Sequence, residues 1–184
     1  MSRIAVIVGS LRRESFTKRL AHAMTRLPAA RGHEFAFPGI GDLPLYNQDD
    51  DAAAPASAVR LKAEIRAADG VMFVTPEYNR SIPGVLKNAL DHASRPYGDS
   101  AWAKKPAGIV SVSGGKPGAA MAQQHLRNVL AYLDMPTLNQ PEAFVQWTDG
   151  LVKPEGEVGE ASAKFLDGWM AAFLALVNAP AGKV

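Results

Sequence analysis

Residues 3–21 read RIAVIVGSLRRESFTKRLA. The run 4–8 is unbroken and mostly β-branched, as in a strand buried on both faces. From residue 15 the spacing turns helical: Phe16, Leu20, Ala23, Met24 and Leu27 fall on one side, and the pattern stops before Pro28. Between strand and helix lies a loop, 9–17, crowded with hydroxylated and basic residues. A buried strand feeding through a polar loop into an amphipathic helix is the opening half of a βαβ unit.

The unit repeats along the chain. Apolar runs at 34–37, 71–75, 107–112 and 137–147, the last interrupted by Pro141, predict four more strands. Helices are predicted over 57–68 (with Ser57 as N-cap), 85–93, 119–133 and 157–177. Pro83 suits the first turn of the second of these. The 119–133 helix sets Met121, Leu126, Val129, Leu130 and Leu133 on one side. The last helix carries Phe165, Leu166, Trp169, Phe173 and Leu176. Segment 38–55 reads as loop, and its acidic run 49–51 as solvated. Five strands alternating with helices predict an α/β fold: a flavodoxin-like parallel sheet of order 2-1-3-4-5, helices on both faces, in one domain over 1–184. A chain of 184 residues buries enough surface to do this without a metal or disulfide staple.

Composition removes several functions. Cysteine is absent, which excludes disulfides, thiolate metal sites and cysteine nucleophiles. His22, His33, His92 and His125 lack ligand spacing and read as surface or helix-end residues, so no metal is expected. A net charge of +2 is too small for a nucleic-acid binder. No apolar segment approaches the ~20 residues of a membrane span, and residues 1–10 lack a signal-peptide pattern. A cytoplasmic, soluble protein is expected.

In such a sheet, ligands bind outside the carboxyl ends of the strands where strand order reverses. The three oddest loops of the chain fall there: 9–17, 76–84 and 113–118. The first is neither G-x-G-x-x-G nor a Walker loop, because Gly9 is its only glycine. Instead Ser10, Arg12, Arg13, Ser15 and Thr17 precede a helix N-terminus, a donor set suited to a terminal phosphate monoester. The plainer alternative is a Ser15 helix cap beside solvated arginines. In PEYNRSIPG (76–84), Tyr78 and Asn79 offer a flat face and an amide to a planar heteroaromatic ring; an ordinary turn is the alternative. In SGGKPG (113–118), Gly114 and Gly115 leave backbone N–H groups open to negative charge on a ring edge, or simply form a flexible turn.

These loops resemble those of the NADPH-dependent FMN reductases, a family that includes bacterial chromate/quinone reductases and azoreductase-like flavoproteins. The family pattern G-S-x-R-x-x-S-x-N appears as GSLRRESFT (9–17), and P-E-Y-N-x-S-x-P-G-x-L-K-N-x-L-D as PEYNRSIPGVLKNALD (76–91). The segment 113–130, SGGKPGAAMAQQHLRNVL, and the tail TDGLV at 148–152 are also similar. Thr17 departs from the usual Asn but keeps a donor hydroxyl. The resemblance implies non-covalent FMN, with NADPH or NADH as co-substrate. It places Ser10, Arg12, Ser15 and Thr17 on the phosphate, with Phe16 beside them. Pro76, Glu77, Tyr78 and Asn79 would border the isoalloxazine largely through backbone, and Ser113, Gly114 and Gly115 its pyrimidine edge. It also implies a homodimer or homotetramer.

The expected chemistry is a ping-pong transfer of two electrons from NAD(P)H to a quinone, or to chromate, an azo compound or free flavin. Orientation of the stacked reactants does most of the protein's work. No side chain is expected to act as acid, base or nucleophile; Tyr78, Asn79 and Arg80 would position the reactants. One alternative is a non-enzymatic electron carrier of the flavodoxin type. Against it stand the +2 charge and the lack of a T/S-x-T-G-x-T phosphate loop. A receiver-type signalling domain would need an aspartate after the third strand, where Pro76 and Glu77 stand.

Overall fold

The computed structural model describes residues 1–180; the last four residues of the span read as one domain lie outside the described residues. Strands β1 (Arg3–Val8), β2 (Glu34–Ala36), β3 (Gly70–Thr75), β4 (Ala107–Ser113) and β5 (Ala143–Gln146) form one parallel sheet. Their order is β2-β1-β3-β4-β5, as the alternation of strands and helices predicts. The helices are α1 (Phe16–Met24), α2 (Ala56–Arg66), α3 (Gly84–Ala93), α4 (Ala120–Tyr132) and α5 (Glu160–Val177). Among the described residues no helix is long and apolar enough to cross a membrane.

The continuous apolar runs divide by alternation. Ile4, Val6, Met72 and Val74 face one core, packed with Leu20 and Met24 of α1 and Trp169 and Phe173 of α5. Ala5, Ile7, Val71 and Phe73 face the other, with Leu61 of α2, Leu86 of α3 and Leu126 of α4. Each fully buried aliphatic or aromatic side chain contributes about 1.5–3 kcal/mol, so the sheet is stabilised from both sides. Polarity cannot specify register in strands that are apolar on both faces; side-chain size can. Gly108 of β4 lies under α5, where an added Cβ would stand 2.7 Å from Phe173 and 2.8 Å from Trp169. Two indole and phenyl rings thus occupy a seat that only glycine leaves open.

The structure differs from the sequence reading at several element ends. Helix α2 starts at Ala56, and Pro55, which offers no side-chain cap, precedes it in place of Ser57. Pro83 stands at the N-cap of α3 rather than in its first turn. Strand β5 begins only at Ala143, after Pro141, because proline cannot donate to the ladder. Helix α5 begins at Glu160, and Phe165 is exposed because the buried stripe runs through Leu166, Trp169, Met170, Phe173 and Leu174. The acidic run is not simply solvated: Gln48–Ala53 is a 3₁₀ helix, and half-buried Asp51 pairs with Arg95 at 2.8 Å. His92 is of the helix-end kind, in the last turn of α3, and is buried there at 2.8 Å from the Pro44 carbonyl.

Candidate active site

The loops following β1, β3 and β4 meet above the sheet. Gly9 extends the β1–β3 ladder, donating to the Val74 carbonyl at 2.9 Å. A Cβ at Gly9 would come within 3.0 Å of Thr75 Oγ1, 3.2 Å of Leu86 and 3.4 Å of Pro76, so glycine lets the first two loops lie side by side. A cleft of about 200 Å³ opens where the three loops converge. Ser10, Arg12, Ser15, Phe16 and Thr17 line it from the first loop. Pro76, Glu77 and Tyr78 come from the second, and Val112, Ser113 and Gly114 from the third.

The first loop ends at the N-terminus of α1. Ser15 caps the helix, its hydroxyl accepting from the Lys18 N–H at 3.2 Å. The N–H groups of Phe16 and Thr17 have no acceptor among the described residues. Arg12 donates to the Glu14 carbonyl at 3.0 Å and holds its guanidinium 5.6 Å from the Phe16 ring centre. Among the described residues Arg12, Arg13, Lys18 and Arg19 enter no ion pair. Unpartnered helix N–H groups beside unpaired guanidinium and hydroxyl groups favour a dianion. Nearby, burial and the charges of Lys18 and Arg26 hold the His22 imidazole below its ordinary 6.5.

In the second loop Tyr78 and Ser81 exchange backbone hydrogen bonds of 2.9 and 3.0 Å, closing a tight turn over Asn79 and Arg80. Tyr78 is 47% exposed, leaving its ring free to meet a ligand. The Glu77 carboxylate is engaged elsewhere, accepting from the Ala122 N–H of α4 at 3.1 Å. The third loop is held from β5: Gln146 donates to the Gly114 carbonyl at 3.4 Å, and Trp147 N–H to the Ser113 carbonyl at 2.7 Å. Ser113 Oγ donates to the Gly115 carbonyl at 3.2 Å. A Cβ at Gly114 would meet nothing within 4 Å, so its backbone stands open.

Ten of the twelve residues expected at the cofactor therefore line the cleft; Asn79 and Gly115 do not. Val112 lines it unforeseen. Trp147 was also missed: its ring stacks on Phe16 with centroids 4.3 Å apart and planes at 9°, while Arg19 lies 4.9 Å from its ring centre. The signal was present, since Trp147 follows the carboxyl end of β5. The donor set fits FMN, with anion-binding groups in the first loop and an open glycine backbone in the third. Among the described residues no group of three or more His, Asp or Glu side chains could hold a metal.

Known proteins resemble this chain in sequence and in fold. The sequence profile of the family described as NADPH-dependent FMN reductase matches residues 2–149. The chain is 51% identical to a 2-hydroxy-1,4-benzoquinone reductase of a Burkholderia species, over 96% of each chain. It is 45% identical to a quinone reductase of Pseudomonas putida, over 95% of this chain and 94% of that one. The solved structure of FerB, a flavoenzyme NAD(P)H:(acceptor) oxidoreductase from Paracoccus denitrificans, superposes with a TM-score of 0.91. That pair shares 44% identity over 96% of this chain and 97% of the other.

Proposed function

The chain belongs to the NADPH-dependent FMN reductase family, and from that premise we propose that it is a quinone reductase working by two alternating half-reactions. It is an oxidoreductase with FMN as cofactor and NAD(P)H as co-substrate. When bound, FMN would supply two-electron redox chemistry between NAD(P)H and an acceptor using the same place in turn, a hydride equivalent being relayed and, for a quinone, one further proton coming from solvent to give the hydroquinone.

The residues of the chain bind, orient and bias. Ser10, Arg12, Ser15, Thr17 and the free N–H groups at the start of α1 hold the phosphate. Pro76, Glu77, Tyr78 and Asn79 border the ring, while the backbone around Ser113, Gly114 and Gly115 opposes negative charge on its edge. Tyr78, Asn79 and Arg80 position the reactants. Quinones are the acceptors that the relatives' names support; chromate, azo compounds and free flavin are further acceptors for one stacked site. A homodimer or homotetramer, a single domain and a cytoplasmic location belong to the same reading.

The observation that carries it is the convergence of three loops on one cleft whose first loop offers unpartnered donors. The test is the absorbance of purified protein before and after NADPH, followed by NADPH oxidation with a quinone and no other reductase. Flavin bands bleached by NADPH and restored by quinone are expected. A colourless protein that takes up no added FMN refutes the reading, and FMN binding without turnover would make the protein an electron carrier.

A further inference from the structure

The tip of the second loop has an unusual backbone. Asn79 and Arg80 both adopt left-handed conformations, with φ of 51° and 64°. Tight two-residue turns of this hand favour Asn at the first position and glycine at the second, and Arg80 stands where glycine is preferred. Such conformations persist where their surroundings over-determine them, and they gather at ligand sites. Here the surroundings are two contacts to α4. Before the turn, Glu77 Oε2 accepts from the Ala122 N–H at 3.1 Å. At its close, Ser81 Oγ is hydrogen-bonded to His125 Nδ1 at 3.0 Å. Ala122 and His125 are three residues apart on α4, so one helix face grips both ends of the turn. The helix gains in return. Ala119, its left-handed N-cap residue, has no capping side chain, and Glu77 supplies the missing acceptor from another loop.

We propose that Glu77 and His125 are positioning residues that hold the 77–81 turn, and with it the ring-bordering edge at Tyr78 and Asn79, to helix α4. The inference rests on the reading that this loop borders the FMN ring. Neither residue touches the reacting atoms. Glu77 acts through the backbone it anchors and His125 through Ser81. The distinction from the phosphate loop is sharp. Losing Arg12 should matter only for a ligand with a phosphate, whereas releasing the turn should matter for any ligand with the ring.

The test is to titrate apo-protein with FMN and with riboflavin. Glu77→Ala is expected to weaken both ligands equally, by about tenfold, the scale of one lost charge-assisted hydrogen bond. Glu77→Gln keeps an acceptor oxygen and is expected to stay within about threefold of the parent for both ligands. Unchanged affinities with a lowered melting temperature would make Glu77 a helix cap only and overturn the proposal; so would a loss confined to FMN. Should Glu77→Ala not fold, Ser81→Ala carries the same comparison, with an equal loss of about threefold expected for a neutral hydrogen bond and no loss overturning it. Parent protein that binds neither ligand would refute the proposed function instead, so the two failures are distinct.

Discussion

Ser15 performs two tasks at one atom group, capping α1 and lining the cleft. Its replacement by alanine costs about 1 kcal/mol of stability through the cap alone. Arg12 is the cleaner probe, because among the described residues its guanidinium makes a single hydrogen bond, to the Glu14 carbonyl. Arg12→Ala is expected to weaken FMN by about ten- to a hundredfold, from ~1.5–3 kcal/mol per charge-assisted bond, and to leave riboflavin nearly unchanged. Flavin fluorescence quenching on titration measures both. At this scale the sequence was informative where chemistry is local: hydroxyls, guanidinium and a helix start lie within nine residues of one another. It was silent on Val112, which reads as strand interior, it offered Trp147 only through its place at the carboxyl end of the 137–147 run, and it could not show that the Glu77 carboxylate is turned toward α4.

Helix α5 covers β4 through Trp169 and Phe173, whose rings stack with centroids 5.5 Å apart directly over Gly108. Gly108→Ala forces a methyl against both rings and is expected to destabilise the protein by about 1–3 kcal/mol, measured by urea unfolding. FMN affinity should survive, because Gly108 lies near the start of β4 and Ser113 of the cleft at its end. Elements were legible because buried strands and amphipathic helices carry different periods. Their ends were less so. Ser57 carries the side chain that usually caps, yet the chain turns at Pro55, whose fixed φ also suits a helix entry. The 137–147 run joins a bridge at Thr137 to a true strand only past Pro141.

Across the whole molecule, charge is unevenly placed. Residues 10–31 hold Arg12, Arg13, Lys18, Arg19, Arg26 and Arg31 against Glu14 alone, although the chain carries only +2. The polyanionic NAD(P)H should be drawn to that side. Its kcat/KM is expected to fall several-fold as salt rises from ~10 to ~200 mM, and Arg13→Gln with Lys18→Gln to flatten the dependence. Acid should lower stability over two separate pH ranges. Burial and neighbouring Lys18 and Arg26 hold His22 below 6.5, so the unfolded chain takes up this proton first and stability declines as pH falls below 6.5. Lys62 and Arg66 hold the Asp99 carboxyl below 3.8, so its contribution is complete above that pH and is lost through the lower folded value. His22→Asn should remove the upper slope and Asp99→Asn the lower, followed by the urea midpoint against pH.

The Phe16–Trp147 stack gives the protein an optical gauge of its own. Trp102 and Trp169 are sealed in the two cores, whereas Trp147 is partly open to water and stacked on Phe16 of the cleft. Emission at the red edge therefore comes from a single indole, and a yellow chromophore arriving beside Phe16 would dim that component first, reporting occupancy without any label.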